Sequence, residues 1–132
     1  MIDYAAHLLT LAKKHGVDVA VNQVNLHDSH AHPLDNAICI APVKCEASYA
    51  VNMHELGHCV DPDGRLEQRT YEATIRSEEA AWRWAQANTP DWTPTMEHIR
   101  QVCLGTYTRE RWEKRRRQID IVERFLKEME AA

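Results

Sequence analysis

Apolar residues fall at two spacings along the chain, and the change between them marks the elements. Ile2, Ala5, Ala6, Leu8, Leu9 and Ala12 recur at helical intervals, and Lys13-Lys14-His15 before Gly16 forms a cationic helix end over residues 2–15. Val17, Val19 and Val21 then alternate with polar or small residues, which predicts a strand running to about Leu26. Residues 27–36 are rich in Pro, Asn and Asp and read as a turn-forming loop. Ala37 to Ala41 reads as a second short strand, closed by Pro42. A helix follows from about Glu46 or Ser48 to Val60, with Ser48 as its N-cap candidate and Ala50, Met53 and Gly57 roughly in line. Pro62-Asp63-Gly64 ends it.

Three more helices complete the chain. The first covers residues 66–88 and stops before Pro90. Thr93 with Pro94 behind it opens the next, which reaches about Leu104 and stops at Gly105. Thr108 caps the last, from Arg109 to about Met129, with Trp112, Ile119, Val122, Phe125, Leu126 and Met129 as apolar positions. The order predicts an α+β fold: an N-terminal helix, a small sheet, then helices.

At 132 residues the length predicts one domain, with a core over about 1–88 and a helical extension over about 93–130. A net charge of −4 with 27% charged residues argues against a surface that is basic throughout, so nucleic acid is not the default partner. Cys39, Cys45, Cys59 and Cys103 lack C-x-x-C spacing and there is no secretory leader, which points to reduced thiols in a cytoplasmic protein. The apolar runs are too short for a membrane span.

Chemistry concentrates at His54-Glu55-Leu56-Gly57-His58. Positions four apart share one face of a helix, so both imidazoles can reach one Zn2+ while Glu55 stands beside the water to be activated. A catalytic zinc needs a third protein ligand. Asp61 lies seven residues beyond His54, about 10.5 Å along a helix axis, too far unless the chain doubles back at Pro62. On the following helix Glu78 shares a face with Ala81, Trp82 and Ala85, and a carboxylate on an apolar face needs a cation. Glu79 falls beside Arg83 as a surface residue. The expected metal set is therefore His54, His58 and Glu78, with Glu79 and Asp61 as alternatives and Glu55 as the catalytic carboxylate. Small Ala80 and Ala81 would let this helix pack closely on the motif helix. His7 and His15 read as surface or half-buried imidazoles. His27, His30 and His32 read as a solvated loop rim, with a second metal site as the sharper reading.

His54-Glu55-Leu56-Gly57-His58 followed by Glu78-x-x-Ala81-x-x-Trp84-Ala85 resembles the gluzincin-type ImmA/IrrE family, with its H-E-x-x-H and a later E-x-x-A-(N/D)-x-F-A. Small phage and prophage zinc-peptidase-like proteins look closer still. The resemblance covers roughly residues 1–88 and implies a zincin-like fold, Zn2+ on His54, His58 and Glu78, and Glu55 as general base toward a zinc-activated water in peptide-bond hydrolysis. Trp82 departs from the family's small polar residue.

A peptide or protein substrate is then expected to lie antiparallel to Ala37–Ala41. His30, His32, Tyr49, Tyr71 and Tyr107 are the unranked candidates for a donor to the developing oxyanion. The rival reading is a regulatory or nucleic-acid-binding protein with a structural or vestigial zinc site. Its working surface would be the basic run of Arg109, Arg111, Lys114, Arg115, Arg116 and Arg117. A solvated helix face paired to its own glutamates explains that run better.

Overall fold

The computed structural model describes residues 2–131. Helix α1 (Tyr4–Lys14) starts where the Asp3 carboxylate accepts the Ala6 N–H, and it buries Leu8 and Ala12. Gly16 takes φ +68°, a left-handed turn that sends Val17 back into the core. Strand β1 (Asp18–Val21) follows, then β2 (His30–His32) and β3 (Ala37–Ile40). The strand order is β1-β3-β2, with β3 parallel to β1 and antiparallel to β2. Ile38 and Ile40 of β3 point into the core, while Ala37 and Cys39 alternate to the opposite face.

Three expectations for the sheet change. The first strand ends at Val21 rather than near Leu26. The 27–36 segment is not wholly a loop: two short 3-10 turns, Leu26–Asp28 and Pro33–Asp35, flank β2, whose residues pair with Cys39, Ile38 and Ala37. Because β3 is bonded on both sides, a peptide cannot add to 37–41, and β2 is the sheet edge beside the motif helix.

That helix, α2 (Glu46–Val60), packs against α1, β2, β3 and two later helices. Its N-cap is Cys45, not Ser48; the Ser48 hydroxyl accepts the Lys44 and Cys45 N–H groups at 2.8 and 3.0 Å. Tyr49, Met53 and Leu56 are fully buried on it together with Asn52. Helix α3 (Tyr71–Ala87) begins five residues later than expected, because residues 61–70 are held in turns. The Asp61 carboxylate accepts the Asp63 and Gly64 N–H groups, and the Arg65 guanidinium donates to the Cys59 carbonyl and to Asn36. The chain is thereby folded back over the end of α2, and the Thr70 hydroxyl caps the new helix by accepting the Ala73 N–H.

Helix α4 (Pro94–Gly105), capped by Thr93, lays Met96 into the core and packs on α2. Helix α5 (Arg109–Ala131) buries no described residue. Its first turns are fixed to α3, where Trp112 Nε1 donates to Thr74, Arg109 pairs with Glu72, and the Arg109 guanidinium lies over the Tyr71 ring. From Ile119 onward its apolar stripe is exposed. Among the described residues no helix is long and apolar enough to cross a membrane, and all four cysteines are free.

Candidate metal centre

The helix spacing of His54 and His58 sets their rings one turn apart on one face, edge to face with 4.6 Å between centroids. Three donor atoms converge there: His54 Nε2 and His58 Nε2 are 3.1 Å apart, and Glu78 Oε2 lies 2.5 Å from the first and 3.2 Å from the second. All three residues are buried. A tetrahedral ion with bonds of about 2.0–2.1 Å has ligand-to-ligand edges near 3.3 Å, so the two edges at His58 already fit a divalent transition ion, while the 2.5 Å edge between His54 and Glu78, a hydrogen bond in the metal-free chain, would have to open. The group can hold a metal ion.

Glu78 reaches the histidines because α2 and α3 cross with almost no space between them. A Cβ on Gly57 would stand 2.6 Å from the Ala81 carbonyl oxygen, closer than packed atoms allow. The glycine inside the motif thus sets the crossing distance, and Ala81 is the small partner it meets. Gly64 is equally constrained, since a Cβ there would meet the Gly57 carbonyl at 2.5 Å.

A second layer orients the donors. His58 Nδ1–H donates to the Gly64 carbonyl at 2.8 Å, which leaves its Nε2 lone pair for an ion. The Ser77 hydroxyl donates to the same carbonyl, and Gln68 donates to Glu78 Oε1 at 3.0 Å, leaving Oε2 free to face the histidines. Trp82, where the resembled family has a small polar residue, stacks on His54 at 4.4 Å with 17° between the planes. Gln68, Ser77 and the Trp82 stack were not read from the sequence. Only Ala80 and Ala81 gave a signal, as small residues that let this helix pack closely on the motif helix.

Glu55 stands beside the group, with Oε1 3.4 Å from His54 Nδ1. Burial opposes a charge on His54, but the hydrogen bonds and charges of Glu55 and Glu78 outweigh it and lift the imidazole from 6.5 to about 9. Burial likewise opposes the Glu78 carboxylate, yet His54 and His58 hold it far below its ordinary 4.5. The metal-free chain therefore carries a proton on His54 at neutral pH. Its raised value stabilises the fold fully below 6.5 and is lost as pH climbs through about 9, while the lowered Glu78 contributes above 4.5 and is lost in acid. Divalent metal uptake at pH 7 should release about one proton, with apparent affinity rising about tenfold per pH unit until near 9. Calorimetric titration in buffers of different ionisation enthalpy measures that proton directly.

The alternatives for the third ligand fall elsewhere. Glu79 is exposed, and the Asp61 carboxylate is engaged in the turn after α2. Glu78→Gln should weaken metal binding at least about 100-fold, beyond what loss of an outer-layer partner costs, while Glu79→Gln leaves it unchanged. Metal content after dialysis distinguishes them.

The site forms the floor of a cleft of about 1040 Å³, walled by the β2 segment on one side and by α4 and the start of α5 on another. Of the candidate donors, Tyr49 is buried in the core against His7 Nδ1, and Tyr71 donates to the Tyr107 carbonyl. His27 and His30 border the cleft without joining the metal group, whereas Tyr107 faces it beside Glu78. Burial, and then the Glu78 carboxylate, raise the Tyr107 phenol far above its ordinary 10, so it keeps its proton. The basic run is divided: Arg109 pairs with Glu72, Arg116 with Asp120, and Arg115 borders the cleft.

No protein-family model, curated protein or solved structure matches the chain.

Proposed function

We propose that the chain is a zinc-dependent peptidase of the gluzincin type, similar to ImmA/IrrE proteins, acting on a peptide or protein. The observation that carries this reading is the convergence of His54, His58 and Glu78 on the floor of an open cleft with the Glu55 carboxylate beside them. Two imidazoles and one carboxylate are a donor set of catalytic zinc, and because these buried residues line the cleft an ion held by them would keep a position for solvent or substrate. Zinc bound there would supply a Lewis acid for the scissile carbonyl and would acidify water toward neutral pH.

The chain's own residues perform the rest. Glu55 takes a proton from the attacking water and delivers it to the leaving amine. Tyr107, kept protonated, donates a hydrogen bond to the carbonyl oxygen as it gains charge. An extended peptide pairs with the β2 edge, whose outer side carries no neighbouring strand among the described residues.

The test is digestion of a peptide library by the zinc-loaded chain, read by mass spectrometry with and without chelator. Cleavage should depend on metal, and Tyr107→Phe should lower kcat about 10²–10³-fold with metal content unchanged. Cleavage that persists after chelation would overturn the reading.

A further inference from the structure

On the face of the sheet turned away from the core lies a second cluster of metal-ligating side chains. His30 and His32 are alternate residues of β2, so both leave the strand on one face. Pairing sets His30 directly opposite Cys39 of β3, and because Ile38 and Ile40 take the core side, Cys39 is turned toward the same face as the histidines. The residue beside Cys39 on β1 is Ala20, too small to cover the thiol. One donor atom from each of His30, His32 and Cys39 lies within 4.8 Å of the other two, and the imidazoles sit 4.7 Å apart at 83°. His30 Nδ1 is 2.8 Å from the Asp28 carbonyl, which commits that nitrogen as the donor and leaves Nε2 with its lone pair.

We propose that His30, His32 and Cys39 form a second metal site, distinct from the cleft group, for a borderline-soft ion of the zinc class. Two imidazoles and a thiolate select such an ion over magnesium or calcium, and three protein donors on an open sheet face leave the fourth position to water. The set differs from the His27, His30 and His32 cluster considered from sequence. His27 is exposed on the preceding 3-10 turn beside Asp28, and its place is taken by a thiol that strand pairing delivers from seven residues beyond His32. Loaded, the site ties the edge strand to the central one. Since His30 and Ala31 also border the cleft, the ion stiffens the wall along which a substrate would lie.

Cobalt substitution tests this independently of the cleft, because only the second site contains sulfur. The reduced full-length chain titrated with Co2+ should take up a second equivalent and develop a near-ultraviolet thiolate-to-cobalt charge-transfer band. Cys39→Ser should abolish the band and the second equivalent, and His32→Ala, at an exposed position, should weaken the site at least about tenfold. Cys45→Ser should retain the band, which excludes the exposed thiol at 45 as its source. His58→Ala should also retain it while losing the cleft equivalent, so failure of the peptidase reading leaves this test intact. Absence of the band in the unchanged chain, its survival in Cys39→Ser, or its loss in Cys45→Ser overturns the proposal. If Cys39→Ser does not fold, a band of undiminished affinity in His32→Ala overturns it as well.

Discussion

Glu55→Gln should keep the metal content of the unchanged protein while peptide hydrolysis falls by about 10²–10⁴-fold. The amide has nearly the volume of the carboxylate but cannot accept a proton at neutral pH, so the substitution isolates base chemistry from packing. Glu55 is not one of the three converging donors, which is why metal should stay. Its proximity to His54 Nδ1 makes a second readout available: with Glu55 neutral, the imidazole of the metal-free chain loses one of the two carboxylates that raise it, and its titration should move down from about 9. Hydrolysis at the parent rate would remove Glu55 from the mechanism. Loss of metal would instead give it a structural role.

Gly57→Ala should lower both stability and metal affinity although residue 57 has no side chain with which to touch an ion. The added methyl would stand 2.6 Å from backbone oxygen, and backbone cannot rotate out of the way as a flexible side chain does. Helices α2 and α3 must then separate at their crossing, at a cost of about 1–3 kcal/mol for overpacking. Glu78, three residues before Ala81, should be drawn off the histidines, so metal affinity should fall with the melting temperature. Gly105→Ala is the control of opposite sense, since nothing lies within 4 Å of its added Cβ and reduced freedom of the unfolded chain favours it by about 0.4–1 kcal/mol. Melting scans with and without chelator separate the two contributions at residue 57. Equal losses in both would mean that the crossing supports the fold but not the site.

What could be read from the sequence was what local chemistry decides. The α1 and α4 boundaries follow from Gly16, Thr93 and Pro94, which act within one turn of themselves. Glu78 was legible because a carboxylate on a face shared with Ala81, Trp82 and Ala85 has no apolar explanation, and all four are buried. Strand β2 was not legible, because three residues show no period and its stability comes from a partner several residues further on. The same non-locality hid the strand order and so misplaced the peptide on a strand that is already paired. Gln68 could not be assigned to Glu78 because that bond spans an irregular turn, and Tyr107 stayed unranked because the bend between α4 and α5 decides where it faces.

The distances in sequence between the three donors also impose an order in time. His54 and His58 are prepared as soon as a single helix forms, on the submicrosecond to microsecond scale of helix growth, and need no other part of the chain. Glu78 arrives only when a second helix, reached through the 61–70 turns, closes over Gly57. Capture of an ion by two imidazoles can therefore precede completion of the site, and the third ligand is added only when the helix crossing closes. An ion held by all three residues would then tie α3 to α2, so metal loading should protect the backbone amides at the crossing of these helices from hydrogen exchange.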